Sequence, residues 1–151
     1  MPSKTTDADL KGLPDLPFPY ALSLPTMSVT DAGMKELGRL KNLTELWLFW
    51  TPVTDAGLKE LRGLKNLAML TIVKTQITDA GLKELKALKG LTVLHLLNTP
   101  VTDAGLKELG EMKRLAEVVL IDTKVTDGGV NQLQIALPTC AITQVLLKNK
   151  R

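Results

Sequence analysis

Cysteine, histidine and aromatic residues are scarce in this sequence, and their scarcity removes several kinds of site from consideration. Among 151 residues there is one cysteine, Cys140, so no internal disulfide can form. The one histidine, His95, has no Cys or His neighbour at the spacing of a zinc site. No apolar run approaches membrane-spanning length, so no membrane partner is predicted. Lys and Arg total 19 against 16 Asp and Glu, but they are spread singly, so we predict no nucleic-acid partner.

A secretory signal is also missing from the start of the sequence. Residues 1–6 lack the basic stretch followed by an apolar stretch that such signals carry. A single cysteine suits a reducing compartment, or any compartment in which no disulfide is needed. We predict a cytoplasmic protein, or one from which a leader has been removed.

What the sequence has in abundance is repetition, with a period of 24 residues. The segment T-D-A-G-L-K-E-L at 54–61 recurs unchanged at 78–85 and 102–109. It recurs with one change at 30–37 and more loosely at 126–133. A fixed period of this length is typical of stacked supersecondary units, each of which can bury its apolar face only against its neighbours.

Each unit predicts one short strand and one short helix. In the second full copy, alternation around Leu46 and Leu48 indicates a strand with both leucines on one face. Asp55, or Thr54 before it, offers an oxygen atom to the free amides that open a helix, and leucines at three-residue spacing follow. We expect the repeated aspartates to act as helix caps; they are Asp31, Asp55, Asp79 and Asp103.

The pattern L-x-x-L-x-L-x-x-T-x-[VI]-T-D-A-G-L-x-x-L resembles the leucine-rich repeat. It is nearest the cysteine-containing subclass that is found in F-box-associated and bacterial repeat proteins. The resemblance implies an α/β fold, a right-handed solenoid with a short parallel sheet on its concave face and short helices on its convex face. It also implies a binding scaffold without a cofactor. Where the family has an Asn or Cys ladder, this chain has Met27 in the first unit and then Thr51, Thr75, Thr99 and Thr123.

A threonine hydroxyl at the ladder position can bond turn amides across repeats, and a methionine cannot. We therefore expect these bonds in every unit except the first, where the turn with Met27 should be looser. The repeat pattern predicts one domain over 1–151. It divides into an N-terminal half-repeat cap at 1–18, five repeats at 19–138, and a C-terminal cap and tail at 139–151. In the half-repeat, Asp9 replaces the glycine of the motif.

The strand positions that do not repeat are the candidates for function. Alternate strand side chains point to opposite faces, so these positions form columns on the concave surface. The column after the paired leucines is apolar from Phe49 through Val73 and Leu97 to Ile121, and Trp47 lies beside it. An exposed apolar patch on a soluble protein usually marks a contact surface. We predict that a protein or peptide binds this face.

Two groups of residues would make that contact. The apolar anchors are Trp47, Phe49, Trp50, Val73, Leu97 and Ile121, and the polar positions that select the partner are Glu45, Lys74, His95 and Asp122. Tyr20 should also point inward. Three alternatives remain. The Pro-rich N-terminal segment could fold over the aromatic residues as a cap, the patch or the open strand edges could drive self-association, or the Trp residues could stack on sugar rings.

No set of residues predicts catalysis, and we expect no metal site. Glu45 and Glu117 share a column but lie three repeats apart, roughly 14 Å at about 4.8 Å per strand, too far for a glycosidase pair. Cys140 reads as a small core residue without a nearby base. His95 reads as a contact residue on the concave face. The lysines at 59, 65, 83 and 89 read as a solvated convex surface.

Overall fold

The computed structural model describes residues 5–25 and 28–146 of the chain. Short helices alternate with short strands along these residues. The helices are α1 (Asp7–Lys11), α2 (Asp31–Leu37), α3 (Asp55–Glu60), α4 (Asp79–Glu84), α5 (Asp103–Leu109) and α6 (Asp127–Ala136). The strands are β1 (Tyr20–Pro25), β2 (Leu43–Phe49), β3 (Met69–Val73), β4 (Val93–Leu97), β5 (Glu117–Ile121) and β6 (Ala141–Val145). A 3₁₀ turn extends α3 at Leu61–Gly63, and another extends α4 at Leu85–Ala87.

The strands form one parallel sheet in chain order from β1 to β6. Neighbouring strands pair with the 24-residue offset of the repeat, so that Leu46 pairs with Leu70 and Leu70 with Leu94. The exception lies at the start of β1, where Tyr20 pairs with Leu43 and the register shifts before Ala21. This architecture confirms the predicted α/β solenoid, with its sheet on one side and its helices on the other.

The core is a set of leucine columns that run the length of the stack. Leu46, Leu70 and Leu94 have no solvent exposure, and each occupies the same place in its own unit. Burial of one such side chain stabilises the fold by about 1.5–3 kcal/mol, and this burial requires the neighbouring unit. The column ends at Ile142 in β6, and Gln144 takes the place of the next leucine. Its amide donates to the Val125 carbonyl oxygen at 2.9 Å, which satisfies a polar group at the end of the core.

Threonine, and not the repeated aspartate, caps helices α2 to α5. The Oγ1 atom of Thr54 accepts a hydrogen bond from the Ala56 N–H at 3.2 Å, and Thr30, Thr78 and Thr102 do the same in their units. The prediction that the repeated aspartates cap their own helices was wrong. A side chain at the cap position faces the open amides, whereas the aspartate lies one residue later, at the first helical position.

The aspartates instead join each unit to the next. Asp31 accepts from the Thr54 N–H at 2.8 Å and from the Thr54 hydroxyl at 2.7 Å. The same two bonds link Asp7 to Thr30, Asp55 to Thr78, Asp79 to Thr102 and Asp103 to Thr126. We call these five aspartate–threonine pairs the aspartate ladder. Bonds to a carboxylate are stronger than neutral ones, so the ladder ties the convex side of the stack together.

The motif glycine is required by this ladder. A Cβ atom added to Gly57 would overlap the Oδ1 atom of Asp31 from the preceding unit, and Gly81 stands in the same relation to Asp55. A glycine in a helix is otherwise unfavourable by roughly 1 kcal/mol relative to alanine. The T-D-A-G motif thus combines a cap, an inter-unit acceptor and the space that this acceptor needs.

Some convex lysines are exposed and also bind backbone carbonyl groups. The ammonium group of Lys65 donates to the Arg62 carbonyl at 2.8 Å and to the Ala87 carbonyl of the next unit at 3.0 Å. Lys113 binds two carbonyl oxygens in the same way. The carbonyls at the end of a helix lack intrahelical partners and carry partial negative charge, which is why a cation settles there. Lys65 is exposed, as predicted, and its ammonium group also joins two units.

The threonine ladder does not form the predicted bonds. The hydroxyls of Thr51, Thr99 and Thr123 are buried without a hydrogen-bond partner. Thr75 accepts from the Ile77 N–H of its own unit at 3.4 Å. The expectation of bonds across repeats was wrong, because a threonine hydroxyl lies on Cβ and reaches less far than an asparagine amide. Met27 lies outside the described residues.

Candidate functional site on the concave face

An apolar column crosses the sheet perpendicular to the strands. The register places Phe49, Val73, Leu97, Ile121 and Val145 side by side on successive strands, and we call these five residues the apolar column. At about 4.8 Å per strand the column extends roughly 19 Å. The first four are half-buried against one another, whereas Val145 is 40% exposed. Val145 is missing from the predicted set, although its position one period after Ile121 could have identified it.

The residues that follow the apolar column share an unusual backbone conformation. Trp50, Lys74, Asn98 and Asp122 have φ between 50° and 53°, in the left-handed region. Asn and Asp adopt it readily, but for Trp and Lys it is strained. The sheet imposes it, because the N–H of each of these residues donates to the last carbonyl of the next strand, as Trp50 does to Val73 at 2.9 Å. Strain of this kind is a reason to look for function.

The indole of Trp50 is the most exposed aromatic group of the predicted site. It is 50% exposed, and the Lys74 ammonium lies 5.9 Å from its ring centroid. The Phe49 ring lies 6.3 Å away at 42°. Both contacts lie in the favourable range for a cation over a ring and for a tilted aromatic pair. Trp50 is therefore held in place at one end of the apolar column while half of its surface faces solvent.

A polar network lies on the other side of the apolar column. The Nε2 atom of His95 lies 3.0 Å from Oε1 of Glu117, and its Nδ1 atom lies 3.3 Å from the Thr71 hydroxyl. This arrangement fits a ring that donates to the carboxylate through Nε2 and accepts from threonine through Nδ1. On the Trp50 side of the apolar column, the Asn98 amide donates to Asp122 at 2.6 Å. The structure thus links His95 to two residues, Thr71 and Glu117, that were not predicted as partners.

Comparison with known proteins identifies the repeat. The family model described as "Leucine Rich repeat" matches residues 39–61. Internalin C2 of Listeria monocytogenes is similar in structure, with a TM-score of 0.70 and 27% identity over 95% of this chain and 57% of its own. A leucine-rich-repeat protein of Leptospira interrogans gives 0.56 and 27%, over 72% of this chain and 27% of its own. No curated protein sequence matches. The chain has the leucine-rich-repeat fold.

A second internalin of Listeria monocytogenes, inlF, shares this fold at 18% identity, with a TM-score of 0.51 over 97% of this chain and 52% of its own. The chain therefore spans between about a quarter and three fifths of the length of these three proteins. Leucine-rich-repeat proteins generally act as protein-interaction scaffolds. The cysteine-containing subclass stays a prediction.

Tyr20 does not join the concave surface of the leucine-rich repeats. Tyr20 packs against the core, where the register shift puts it opposite Leu43, and its hydroxyl lies 3.3 Å from Asp15. The expectation that it points inward to the concave side was wrong. The Pro-rich segment is bound through Asp15, which accepts from the Lys41 and Asn42 amides just before β2. These bonds hold the segment at the N-terminal end of β2, whereas Trp50 follows the C-terminal end of that strand.

The chemistry of the remaining candidates is limited by burial. The carboxylate–histidine–hydroxyl order of Glu117, His95 and Thr71 resembles that of a hydrolase triad, but the hydroxyl-bearing Thr71 is only 6% exposed. Burial raises the pKa of the Cys140 thiol, and the Glu117 charge raises it further, so the reactive thiolate is disfavoured.

Within residues 5–25 and 28–146, no three His, Cys, Asp or Glu side chains are grouped to hold a metal ion. No helix in this part of the chain could span a membrane.

Proposed function

We propose that this protein is a non-catalytic scaffold that binds a protein or peptide through its concave face. The observation that carries the proposal is the apolar column, five apolar side chains on five successive strands at positions that the repeat leaves free to vary. The buried leucines already fill the core, so folding does not require apolar residues on the opposite face of the sheet. A contiguous apolar surface of this kind is a typical contact surface.

The apolar anchors differ in how they would contribute. Trp50 is the strongest candidate because a large aromatic side chain, already held by Phe49 and Lys74, loses little freedom on binding. Trp47 and Leu97 are half-buried and would supply the flat centre of the contact. The single contributions are unequal, since a few anchors usually carry most of the binding free energy.

The polar positions would select the partner by charge. Glu45 lies on the same side of the apolar column as the His95–Glu117 pair, whereas Lys74 and Asp122 lie on the other side. An occupant of the face would meet carboxylates along one edge and a mixed pair along the other. Charges at such a rim mainly affect the rate of association and the exclusion of wrong partners.

Affinity capture from the source cell tests the proposal when wild type is compared with matched variants. Trp47→Ala and Leu97→Lys should lose the partners that wild type retains, because one removes an anchor and the other places a charge in the apolar column. Ala56→Lys, at an exposed position on α3, adds the same charge to the convex side and should retain those partners. The proposal fails if both concave variants, verified as folded by circular dichroism, capture the same partners as wild type.

The absence of catalysis, and a cytoplasmic location, belong to the same proposal and stay predictions. Self-association through the apolar column is the competing explanation of the same surface. Light scattering of wild type and Leu97→Lys at high concentration separates the two, because only self-association makes the measured mass depend on this substitution.

A further inference from the structure

The two ends of the aspartate ladder are chemically different. At each of its five junctions, the aspartate of one unit accepts from the threonine of the next, and a glycine three residues after that threonine makes room for the carboxylate. An end of the stack can therefore extend the ladder in one of two ways. It presents either an aspartate without a threonine partner or a threonine followed, three residues later, by a glycine that leaves room for an aspartate.

The N-terminal end of the stack, which we call the α1 face, presents Thr6. The donors of Thr6 already have an acceptor within their own unit. The Thr6 N–H and hydroxyl both donate to Oδ2 of Asp9 at 2.8 Å. Both bonds lower the pKa of Asp9, the bond from the hydroxyl more than the bond from the amide, and they keep the carboxyl group ionised. Asp9 stands where every later unit has the motif glycine. One residue thus takes over, within its own unit, the acceptor role that a preceding aspartate plays at the other junctions.

Asp9 also blocks the space that an incoming carboxylate would need. In the next unit, a Cβ atom added to Gly33 would overlap Oδ1 of Asp7, the aspartate that occupies that ladder junction. Asp9 has the Cβ atom that Gly33 lacks. The threonine of the α1 face is therefore closed to a second ladder aspartate, both by its own hydrogen bonds and by the volume of the Asp9 side chain.

The C-terminal end of the stack, which we call the α6 face, presents a ladder aspartate, Asp127. Asp127 lies one period after Asp103, at the ladder position, and it is exposed. Apolar groups are exposed at the same end, with Ile135 81% and Leu146 59% accessible. The α1 face has a hollow of about 340 Å³ beside Asp9, lined by Leu10, Leu13, Leu22 and Leu24 among others. A carboxylate with apolar groups at one end thus corresponds to a threonine with an apolar hollow at the other.

We propose that the α6 face is a docking surface for the α1 face of a second copy of this chain. Asp9 keeps the α1 face closed to this contact. The contact would continue the aspartate ladder from Asp127 of one copy to Thr6 of the next. Because the two surfaces differ, the contact is head-to-tail and does not close on itself, so it would produce open filaments. Asp9 is therefore the residue that keeps the chain from polymerising.

Three variants of the full chain test this by sedimentation equilibrium over a range of concentrations. Asp9→Gly opens the ladder position, so the weight-average mass should rise with concentration from 16.4 kDa to at least twice that value. Asp9→Ala loses the same hydrogen bonds but keeps the Cβ atom, so we expect this variant and the wild type both to stay monomeric. Asp9→Gly combined with Asp127→Ala removes the acceptor and should also stay monomeric.

The two controls keep the proposal falsifiable if α1 frays when its cap is lost. Glycine favours fraying of α1 more than alanine does, so the variant matched to Asp9→Gly for fraying is the double variant, which carries the same glycine. Equal association of Asp9→Gly and Asp9→Ala would overturn the proposal. A monomeric Asp9→Gly would overturn it as well. So would association of the double variant, because that contact would not use the ladder.

Discussion

Replacement of Thr99 by valine tests whether the threonine ladder is an unsatisfied buried feature. The Thr99 hydroxyl is buried and has no hydrogen-bond partner. A buried polar group without a partner is destabilising by about 1–3 kcal/mol, and burial of a methyl-sized group in its place adds about 0.8 kcal/mol. We expect Thr99→Val to raise the free energy of unfolding by about 2–4 kcal/mol, the sum of these two contributions. For a chain of this length that corresponds to a rise in Tm of roughly 4–16 °C.

Thr75 provides the matched control one unit earlier. Its hydroxyl accepts from the Ile77 N–H at 3.4 Å, so valine there removes the acceptor bonded to that amide. Thr75→Val should therefore gain less than Thr99→Val, and a loss of about 1 kcal/mol is within the expected range.

Urea unfolding followed by circular dichroism measures both variants, provided that the denaturant slope m stays at its wild-type value. Both sites lie in central units, so end fraying affects them alike. The reasoning is refuted if Thr99→Val is no more stable than wild type, or if Thr75→Val gains as much.

Three further predictions follow from the ladder and from the turn after β2. Gly81→Ala should lower stability by about 1–3 kcal/mol in urea unfolding, because its Cβ atom displaces the Asp55 carboxylate, whereas Gly128→Ala should gain up to about 1 kcal/mol, since its Cβ atom would meet nothing nearer than a hydroxyl at 3.5 Å. The bonds from Thr126 lower the pKa of Asp103 below its usual value of 3.8, so its stabilisation is complete above pH 4, roughly, and is lost as pH falls further. Asp103→Asn should show a shallower loss of stability in acid, and an unchanged acid profile contradicts this assignment. Trp50→Asn should hold or raise Tm, because Asn tolerates the left-handed backbone, while partner capture falls; capture that survives the change argues against Trp50 as an anchor.

The architecture and the concave columns follow from the sequence alone. A period of 24 residues fixes the offset between neighbouring strands, and strand alternation assigns each side chain to a face. The alignment of Phe49, Val73, Leu97 and Ile121 in one column therefore follows from the repeat. The structure keeps that alignment and adds Val145. Whether these residues bind a partner stays a prediction.

The hydrogen-bond partners between units were decided only by the tertiary structure. Asp31 and Thr54 lie 23 residues apart, and no local pattern distinguishes an aspartate that caps its own helix from one that binds the next unit. The pairing of His95 with Thr71 and Glu117, and the shift that turns Tyr20 to the core, likewise depend on how strands meet in space.

Periodicity and alternation are properties of the chain, so the sequence by itself determined the repeat, the leucine core and the face on which each strand residue lies. The reach of a side chain across a junction depends on distances of a few ångströms between units. The sequence shows Asp9 in the place of the motif glycine, but only the stacked structure could show that this glycine makes room for the aspartate of the preceding unit.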